Sequence, residues 1–284
     1  MANKKKLRWE IRSMRIWHQS FTVLEDLPAY EAVLVERIKQ IARPDTEVVM
    51  HGQRPGTYPT NYPGTDIGFS YMYWLHGNQW IANAVRAQRD GFDAYAMCSM
   101  PNPMIREIRT LVDIPVTGYG EASALIACQL GQKFGVMTFI PEMVDLYAER
   151  IENYGLKERC SGVRHTGFHF KDVLNGYSDP EPLIERFQEA ARKHIRETGA
   201  DVLISGSMPL SVLMAKHGIH RVDDVPIVDG LAATIKMAEM MVDLRKNAGL
   251  QVSRHGRFNA APPPERVLQV MEFYGLDKLL HDPE

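Results

Sequence analysis

Hydrophobic and polar positions follow two alternating periods along this chain. Short apolar runs, typical of buried strands, alternate with segments in which apolar residues recur every three or four positions, as in amphipathic helices. The pattern predicts strands at 14–21, 46–52, 92–98, 114–120, 133–139, about 160–165, 200–206 and 225–230, and helices at 27–42, 77–91, 103–112, 121–131, 141–155, 181–199, 209–218, 231–249 and near 264–275. Strands that alternate with helices in this way form parallel sheets of β-α-β units.

The predicted units fall into two sets, centred on residues 92–112 and 200–218, with no clear linker between them. We therefore expect two lobes that exchange segments. The predicted division is 14–120 plus about 225–250 for lobe 1, 121–224 for lobe 2 and 251–284 for a C-terminal extension packed outside. Residues 53–75 and 166–180 read as irregular. A loop as long as the first is uncommon without a purpose, which favours a lid or a subunit contact.

Composition narrows the function classes. The chain has 284 residues, of which 45% are hydrophobic, so it can bury a large core. Its net charge of −2 gives no reason to expect nucleic acid or an acidic membrane as partner. No apolar run is long enough to span a bilayer, and the basic start, ANKKKLR, lacks the apolar core of a signal peptide. The 3 cysteines are widely spaced, which argues against a disulfide framework or zinc site and predicts the reducing cytoplasm.

Two strand ends carry almost the same corner, in AYAMCSMPNP (94–103) and VLISGSMPLS (202–211). Ligands of open parallel sheets lie beyond the carboxyl ends of strands. A helix that starts there favours an anion such as a carboxylate or an enolate. Ser99 and Ser207 would each add a hydroxyl on either side of one substrate. The alternative is that each serine only caps the following helix, with proline in its first turn.

The stretch VDIPVTGYGEASALIACQLGQKFGVMTF (112–139) resembles the Asp/Glu/hydantoin racemase superfamily, and most closely its hydantoin-racemase branch. Further matches follow in order over residues 14–247, in IWHQSF, YGLKERCSGVR, GADVLISGSMPLS and VPIVDGLAATIKMAEM. The resemblance implies two pseudo-symmetric, Rossmann-like α/β lobes with the active site between them. It also implies a homo-oligomer that acts on a small molecule without metal or organic cofactor. Two cysteines, one per lobe, serve the family as opposed acid and base for a carbon-bound proton.

This chain departs from the family at those cysteines, since the two positions fall on Ser99 and Ser207. A serine hydroxyl is a poor base unless a neighbour activates it. A thiol, with a pKa of about 8.5, exchanges a proton with a carbon acid far more readily. Cys98, one residue earlier, could replace the first thiol, or it could be the last buried residue of its strand. The acid and base groups therefore stay open at this point.

Other candidates lie at predicted strand ends. The resemblance makes Gln19 and Thr138 substrate-contacting positions. Asn102, after the first corner, either binds substrate or caps the next helix. Gly206 and Met208 flank Ser207 and are expected to contact substrate with it.

Three acidic or imidazole groups are candidate catalysts. Glu121 could act as a base or simply complement the dipole of its helix. His51 and His169 could activate a corner serine, because imidazole titrates near neutral pH. The alternative for a histidine in a loop is ordinary hydrogen bonding. His165 and His169 are spaced like a metal pair, but no carboxylate cluster accompanies them, and we predict no metal site.

Three functions remain open from sequence. The first is a racemase-superfamily isomerase acting on a small carboxylate or a hydantoin-like cyclic amide through an enolate-like intermediate. The second is a hydrolase that opens a lactone, cyclic imide or amide, with a serine-lined oxyanion hole and a histidine or glutamate that activates water. The third is a binding protein that has lost its catalytic thiols.

Overall fold

A computed structural model describes residues 13–281, so the basic segment ANKKKLR lies outside the described residues. The strands are β1 (Met14–Gln19), β2 (Thr46–His51), β3 (Ala94–Met97), β4 (Val116–Gly118), β5 (Phe134–Thr138), β6 (Cys160–His165), β7 (Val202–Ser205), β8 (Arg221–Val222) and β9 (Val225–Val228). The helices are α1 (Pro28–Ile41), α2 (Gly64–Ile67), α3 (Ser70–Arg89), α4 (Ile105–Leu111), α5 (Tyr119–Leu130), α6 (Met143–Asn153), α7 (Phe170–Asn175), α8 (Glu181–Thr198), α9 (Met208–Lys216), α10 (Gly230–Ala248) and α11 (Pro264–Phe273).

The strands form two sheets, as the alternating pattern predicts. The first has the order β2-β1-β3-β4, and all its pairs are parallel. The second has the order β6-β5-β7-β9-β8, and only the short β8 runs antiparallel to its neighbour. Strands β3 and β7 are wholly buried, since helices cover both faces of a parallel sheet. The predicted α/β class with parallel sheets in two lobes is confirmed.

The segments that the lobes exchange are shorter than the sequence predicted. Residues 225–250 were assigned to lobe 1 as one piece. Instead, β9 pairs with β7 in the second sheet, whereas α10 packs on α5, β3 and β4. Tyr119, at the start of α5, also reaches across and donates a hydrogen bond of 2.6 Å to the Ser205 carbonyl of β7. The two lobes are therefore joined through a continuous core.

The long loop predicted over 53–75 is shorter than expected. Helix α3 already begins at Ser70, and the short α2 precedes it. The first turns of α3 bury Tyr73 but expose the apolar Tyr71, Trp74 and Leu75, so the segment lacks the contrast between an apolar and a polar face that identifies a helix in sequence. Gly77, where the predicted helix began, lies inside α3 and allows a close approach of Met104, the residue before α4, because an added Cβ would lie 2.9 Å from the Met104 side chain. Of the helices in residues 13–281, none is long and apolar enough to cross a membrane.

Candidate active site

A cleft opens between the two lobes, beyond the carboxyl ends of strands from both sheets. Lobe 1 contributes the residues after β1 and β3, together with Tyr30 of α1 and the segment around α2. Lobe 2 contributes the residues after β5 and β7, together with Tyr147 of α6 and Phe170 of α7. The lining is Ser20, Phe21, Thr22, Tyr30, Tyr62, Pro63, Gly64, Ile67, Cys98, Ser99, Met100, Pro101, Phe139, Ile140, Tyr147, Phe170, Gly206, Ser207, Met208 and Pro209.

The second corner has the geometry of a hydroxyl donor. Ser207 is the N-cap of α9, and its Oγ accepts a hydrogen bond from the Leu210 amide at 3.4 Å. That bond does not use the hydroxyl proton, which Ser207 can donate to a ligand because the residue lines the cleft. The first-turn amide of Met208 belongs to the same helix N-terminus, where negative charge is favoured. This corner is therefore suited to hold an oxygen on which negative charge develops.

Gly206 brings this corner close to the neighbouring strand. Its amide donates to the Met137 carbonyl at 2.6 Å. A Cβ at this position would lie 2.9 Å from that carbonyl oxygen and 3.0 Å from the ring of Tyr147. Only glycine fits without movement of the backbone, so Gly206 fixes where Ser207 enters the cleft.

The first corner is a turn and not the direct helix start that the sequence predicted. Helix α4 begins at Ile105 and not at Pro103, because Asn102 and Met104 adopt left-handed backbone angles, with φ of 45° and 56°. The side-chain nitrogen Nδ2 of Asn102 donates to the carbonyls of Met97 and Ser99, at 3.2 and 2.6 Å. Its Oδ1 accepts from the Gly120 amide at 2.9 Å. Asn102 is fully buried and holds the turn that presents Ser99.

We expect Asn102→Ala to lower the free energy of unfolding by about 2–3 kcal/mol, because it leaves the buried Gly120 amide without its acceptor. Urea denaturation measures the loss. Asn102→Gly is the matched variant, since glycine accepts the positive φ and isolates the lost hydrogen bonds from backbone strain. Wild-type stability in both variants would contradict this role.

Cys98 lies in the first corner beside Ser99 and also lines the cleft. It is almost fully buried, and burial raises the pKa of its thiol above the ordinary value. Its amide donates to the Gln19 carbonyl at 2.8 Å and continues the pairing of β1 with β3. Cys98 is thus both the end of the buried strand and a cleft residue, so the two sequence interpretations are compatible.

The cleft wall is uncharged. In the part of the chain that the structure describes, its lining contains hydroxyls and one thiol but no carboxylate, imidazole, ammonium or guanidinium. Burial raises the pKa of the phenols of Tyr30 and Tyr147 above their usual range. With Tyr62, where burial and Glu142 raise the pKa to about 12, these side chains stay protonated and act as neutral groups at physiological pH.

Of the ten site residues predicted from sequence, the structure brings four to the cleft: Ser99, Gly206, Ser207 and Met208. Gln19 is fully buried behind the lining, where its amide donates to the Gly52 carbonyl at 3.0 Å and accepts from Asn83 at 2.9 Å. Thr138 is also buried, and its Oγ1 accepts from the Ile140 amide at 3.1 Å. Gln19 and Thr138 therefore hold the ends of β1 and β5, and the residues that follow these strands line the cleft. Asn102 holds its corner in the same way.

The three titratable candidates lie elsewhere. Glu121 forms an ion pair with Arg109, with a 3.2 Å contact between Oε1 and Nη1, and lines a different groove. His51 stacks on Trp17, with 3.4 Å between ring centroids. His169 is exposed at the start of α7, where its amide donates to Asp172. The interpretation of Glu121 as a base and of the two histidines as activators of a corner serine is not supported by their positions, because their side chains do not line the cleft.

Sequence reasoning missed several lining residues. Ser20 and Thr22 directly follow β1, so the rule of carboxyl strand ends could have found them. Tyr62 belongs to the Gly- and Tyr-rich loop for which a lid was predicted. Phe170 is adjacent to His169, yet nothing in the sequence shows that the cleft takes the phenyl ring and not the imidazole.

The fold and the cleft define a class, a two-lobed α/β enzyme with one serine corner from each lobe in a shared cleft. The sequence model of the Asp/Glu/hydantoin racemase family matches residues 28–238. This chain therefore belongs to the Asp/Glu/hydantoin racemase family, and its racemase relatives indicate that it is an isomerase. The predicted family and its hydantoin-racemase branch are confirmed.

Relatives and solved structures agree with this assignment. A hydantoin racemase from Pseudomonas sp. (strain NS671) is 26% identical over 208 residues, which cover 73% of this chain and 79% of the relative. The allantoin racemase structure from Pseudomonas fluorescens is 27% identical, with a TM-score of 0.68 over 88% of this chain and 98% of that one. The allantoin racemase from Klebsiella pneumoniae, 22% identical with a TM-score of 0.72 over 88% and 94% of the two chains, shares the fold.

Proposed function

We propose that this enzyme inverts the configuration of a hydantoin-like cyclic amide by removing and returning the proton on the carbon beside its carbonyl. The observation that carries the proposal is the meeting of both serine corners, one from each lobe, in a single cleft. The hydantoin and allantoin racemases among its relatives support a cyclic amide as substrate. A neutral cyclic amide also suits a lining without charged side chains.

The proposed chemistry begins with the loss of the carbon-bound proton. The C–H electron pair then moves into the adjacent carbonyl and creates an enolate oxygen. The Met208 amide, at the N-terminus of α9, would stabilise that oxygen, since donors aimed at developing charge lower the barrier. The Ser207 hydroxyl, in the corner of the other lobe, then gives a proton to the opposite face of the planar carbon, which produces the other enantiomer and leaves the proton of the substrate at the first corner. No atom is lost and no electron is transferred, so no cofactor is required.

We assign the acceptance of the proton to the first corner, where the Cys98 thiol lies beside the Ser99 hydroxyl. Cys98 and Ser99 are adjacent in the cleft lining, and a thiol exchanges a proton with a carbon acid more readily than a hydroxyl, since its ordinary pKa is about 8.5. Burial raises the pKa of Cys98 further, so only a small fraction is ionised at neutral pH. The rate of proton exchange should therefore increase with pH as this thiol ionises.

The hydrolase alternative is not favoured. It required a histidine or glutamate to activate water, and the described cleft lining supplies neither. His51, His169 and Glu121 have contacts of their own outside it.

Proton NMR in D2O tests the proposal directly. Incubation with a single enantiomer of a 5-substituted hydantoin should remove the signal of the 5-proton, and circular dichroism should show loss of optical activity without ring opening. Ring-opened products would instead identify a hydrolase. Binding without any exchange, over a panel of hydantoins that includes allantoin, would identify a binding protein.

We further infer that the enzyme works as a homo-oligomer in the cytoplasm. Four large apolar side chains at the start of α3 are solvent-exposed in one chain: Phe69 (64%), Tyr71 (70%), Trp74 (51%) and Leu75 (43%). This segment directly continues the loop that lines the cleft, so a second copy of the chain is the occupant we propose for it. The cytoplasmic location rests on 3 free cysteines, which suit a reducing compartment.

We expect the double substitution Tyr71→Glu and Trp74→Glu to convert the oligomer to monomer, since charge at the centre of an apolar interface is strongly unfavourable. Sedimentation velocity gives the mass of each species. Phe258→Glu is the control, because Phe258 is equally exposed (75%) but lies in the C-terminal extension. A wild-type protein that sediments as a monomer would refute the inference.

A further inference from the structure

We propose that Tyr62, Phe139 and Phe170 form an aryl-binding subsite, which selects substrates with an aromatic substituent on the reacting carbon. This inference rests on the proposed function and goes beyond it, because the family assignment does not specify the substituent. All three rings line the cleft that contains both serine corners. We call these three residues the aromatic wall.

The aromatic wall is continuous across the two lobes. The ring of Tyr62, from the loop of lobe 1, stacks on Phe170 of lobe 2, with 4.5 Å between centroids and 22° between planes. Phe170 in turn stacks on Phe139, with 6.2 Å between centroids and 27° between planes. Each of the three rings also lines the cleft, so the stacked row presents aromatic carbon to it, against which a further ring can pack in the edge-to-face arrangement that aromatic pairs prefer.

The wall is held in place before any substrate arrives. Phe139 is 3% exposed and directly follows β5, so the second sheet fixes its backbone. The ring of Tyr62 lies against the backbone of Gly64, where an added Cβ would be 2.1 Å from the ring. A surface that is already ordered loses little conformational freedom on binding, so the contact area is available for affinity.

The remaining lining makes the selection sharper. Ile67, Ile140, Met100 and Met208 extend the apolar surface around the wall. A carboxylate substituent would lose its water here without gaining a charged partner from the described lining, which is costly for a charged group. An apolar ring would instead be favoured by its own desolvation. The cleft therefore discriminates on the substituent, while the serine corners act on the shared amide ring.

The test compares the binding of 5-benzylhydantoin and 5-methylhydantoin by calorimetry in wild-type enzyme and in Phe170→Ala. Wild type should bind the benzyl compound at least about tenfold more tightly. Phe170→Ala should reduce that ratio to below about threefold, with the affinity for the methyl compound unchanged within about twofold. Phe273→Ala, which removes an 80% exposed ring from α11, is the control and should keep the wild-type ratio.

Two results would overturn the aromatic wall as a selective subsite. One is equal affinity of the wild-type enzyme for the benzyl and methyl compounds. The absence of binding of either compound has the same consequence. The other is an equal loss of affinity for both compounds in Phe170→Ala, which would indicate a structural ring. Phe170→Leu keeps most of the volume and provides the same comparison if the alanine variant does not fold.

Failure of this inference is distinct from failure of the proposed function. Calorimetry measures binding without turnover, whereas proton exchange in D2O measures the chemistry. A preserved benzyl preference without exchange would refute racemisation alone. Exchange without any benzyl preference would refute the subsite alone.

Discussion

Replacing Ser99 and Ser207 together by cysteine is expected to raise the rate of racemisation by about 10²- to 10⁴-fold, the range that a well-placed general acid and base contribute. Both positions line the cleft, one from each lobe. Thiols would provide each face of the reacting carbon with a group of pKa about 8.5, in place of a hydroxyl that barely ionises. Optical rotation of a single hydantoin enantiomer measures the gain.

The single variants separate the two corners. Ser207→Cys also weakens the cap of α9, at about 1 kcal/mol, so its stability should be measured alongside its activity. Ser123→Cys is a suitable control, since Ser123 is buried in α5 outside the cleft lining and adds a thiol with no access to substrate. A double variant no faster than wild type would show that the serines do not face the reacting carbon.

Acid should unfold the enzyme well before the carboxylates are fully protonated. Burial, with the nearby His51, lowers the pKa of His18 to about 4, and burial with Arg164 lowers that of His194 to about 4 as well. Both histidines are neutral in the folded chain but take up a proton near pH 6.5 when unfolded. The free energy of unfolding therefore falls as pH decreases from 6.5 to 4, by about 3 kcal/mol for each histidine.

Together these two groups account for a loss of about 6 kcal/mol, a large part of the usual 5–15 kcal/mol of a folded domain. Urea denaturation at a series of pH values measures it. His194→Leu should remove about half of the slope, because it replaces a buried ring whose nitrogens lack hydrogen-bond partners among the described residues. His255→Leu, at an exposed histidine, makes the same substitution outside the core and serves as the comparison. A flat profile between pH 6.5 and 4 in the wild type would contradict the prediction.

The sequence alone determined the order of the longer strands and helices, the parallel sheets and the two serine corners, but not the short elements α2, α7 and β8. These features are local, since a buried strand is a short apolar run and the carboxyl end of a parallel strand is where a ligand binds. The same locality explains why β3 and β7 were found within a few residues of their bounds. It also explains why the resemblance placed Ser99 and Ser207 at equivalent points.

Only the tertiary structure decided which side chains share the cleft. His169 and Phe170 are neighbours in sequence, but only the phenyl ring lines it. The sequence made Glu121 a candidate base of the active site, whereas in the structure it forms an ion pair with Arg109 outside the cleft. Strand β9 joined the second sheet while α10 packed against the first. Each of these outcomes depends on side-chain direction and on contacts between residues far apart in the chain, and periodicity within one segment carries no information about either.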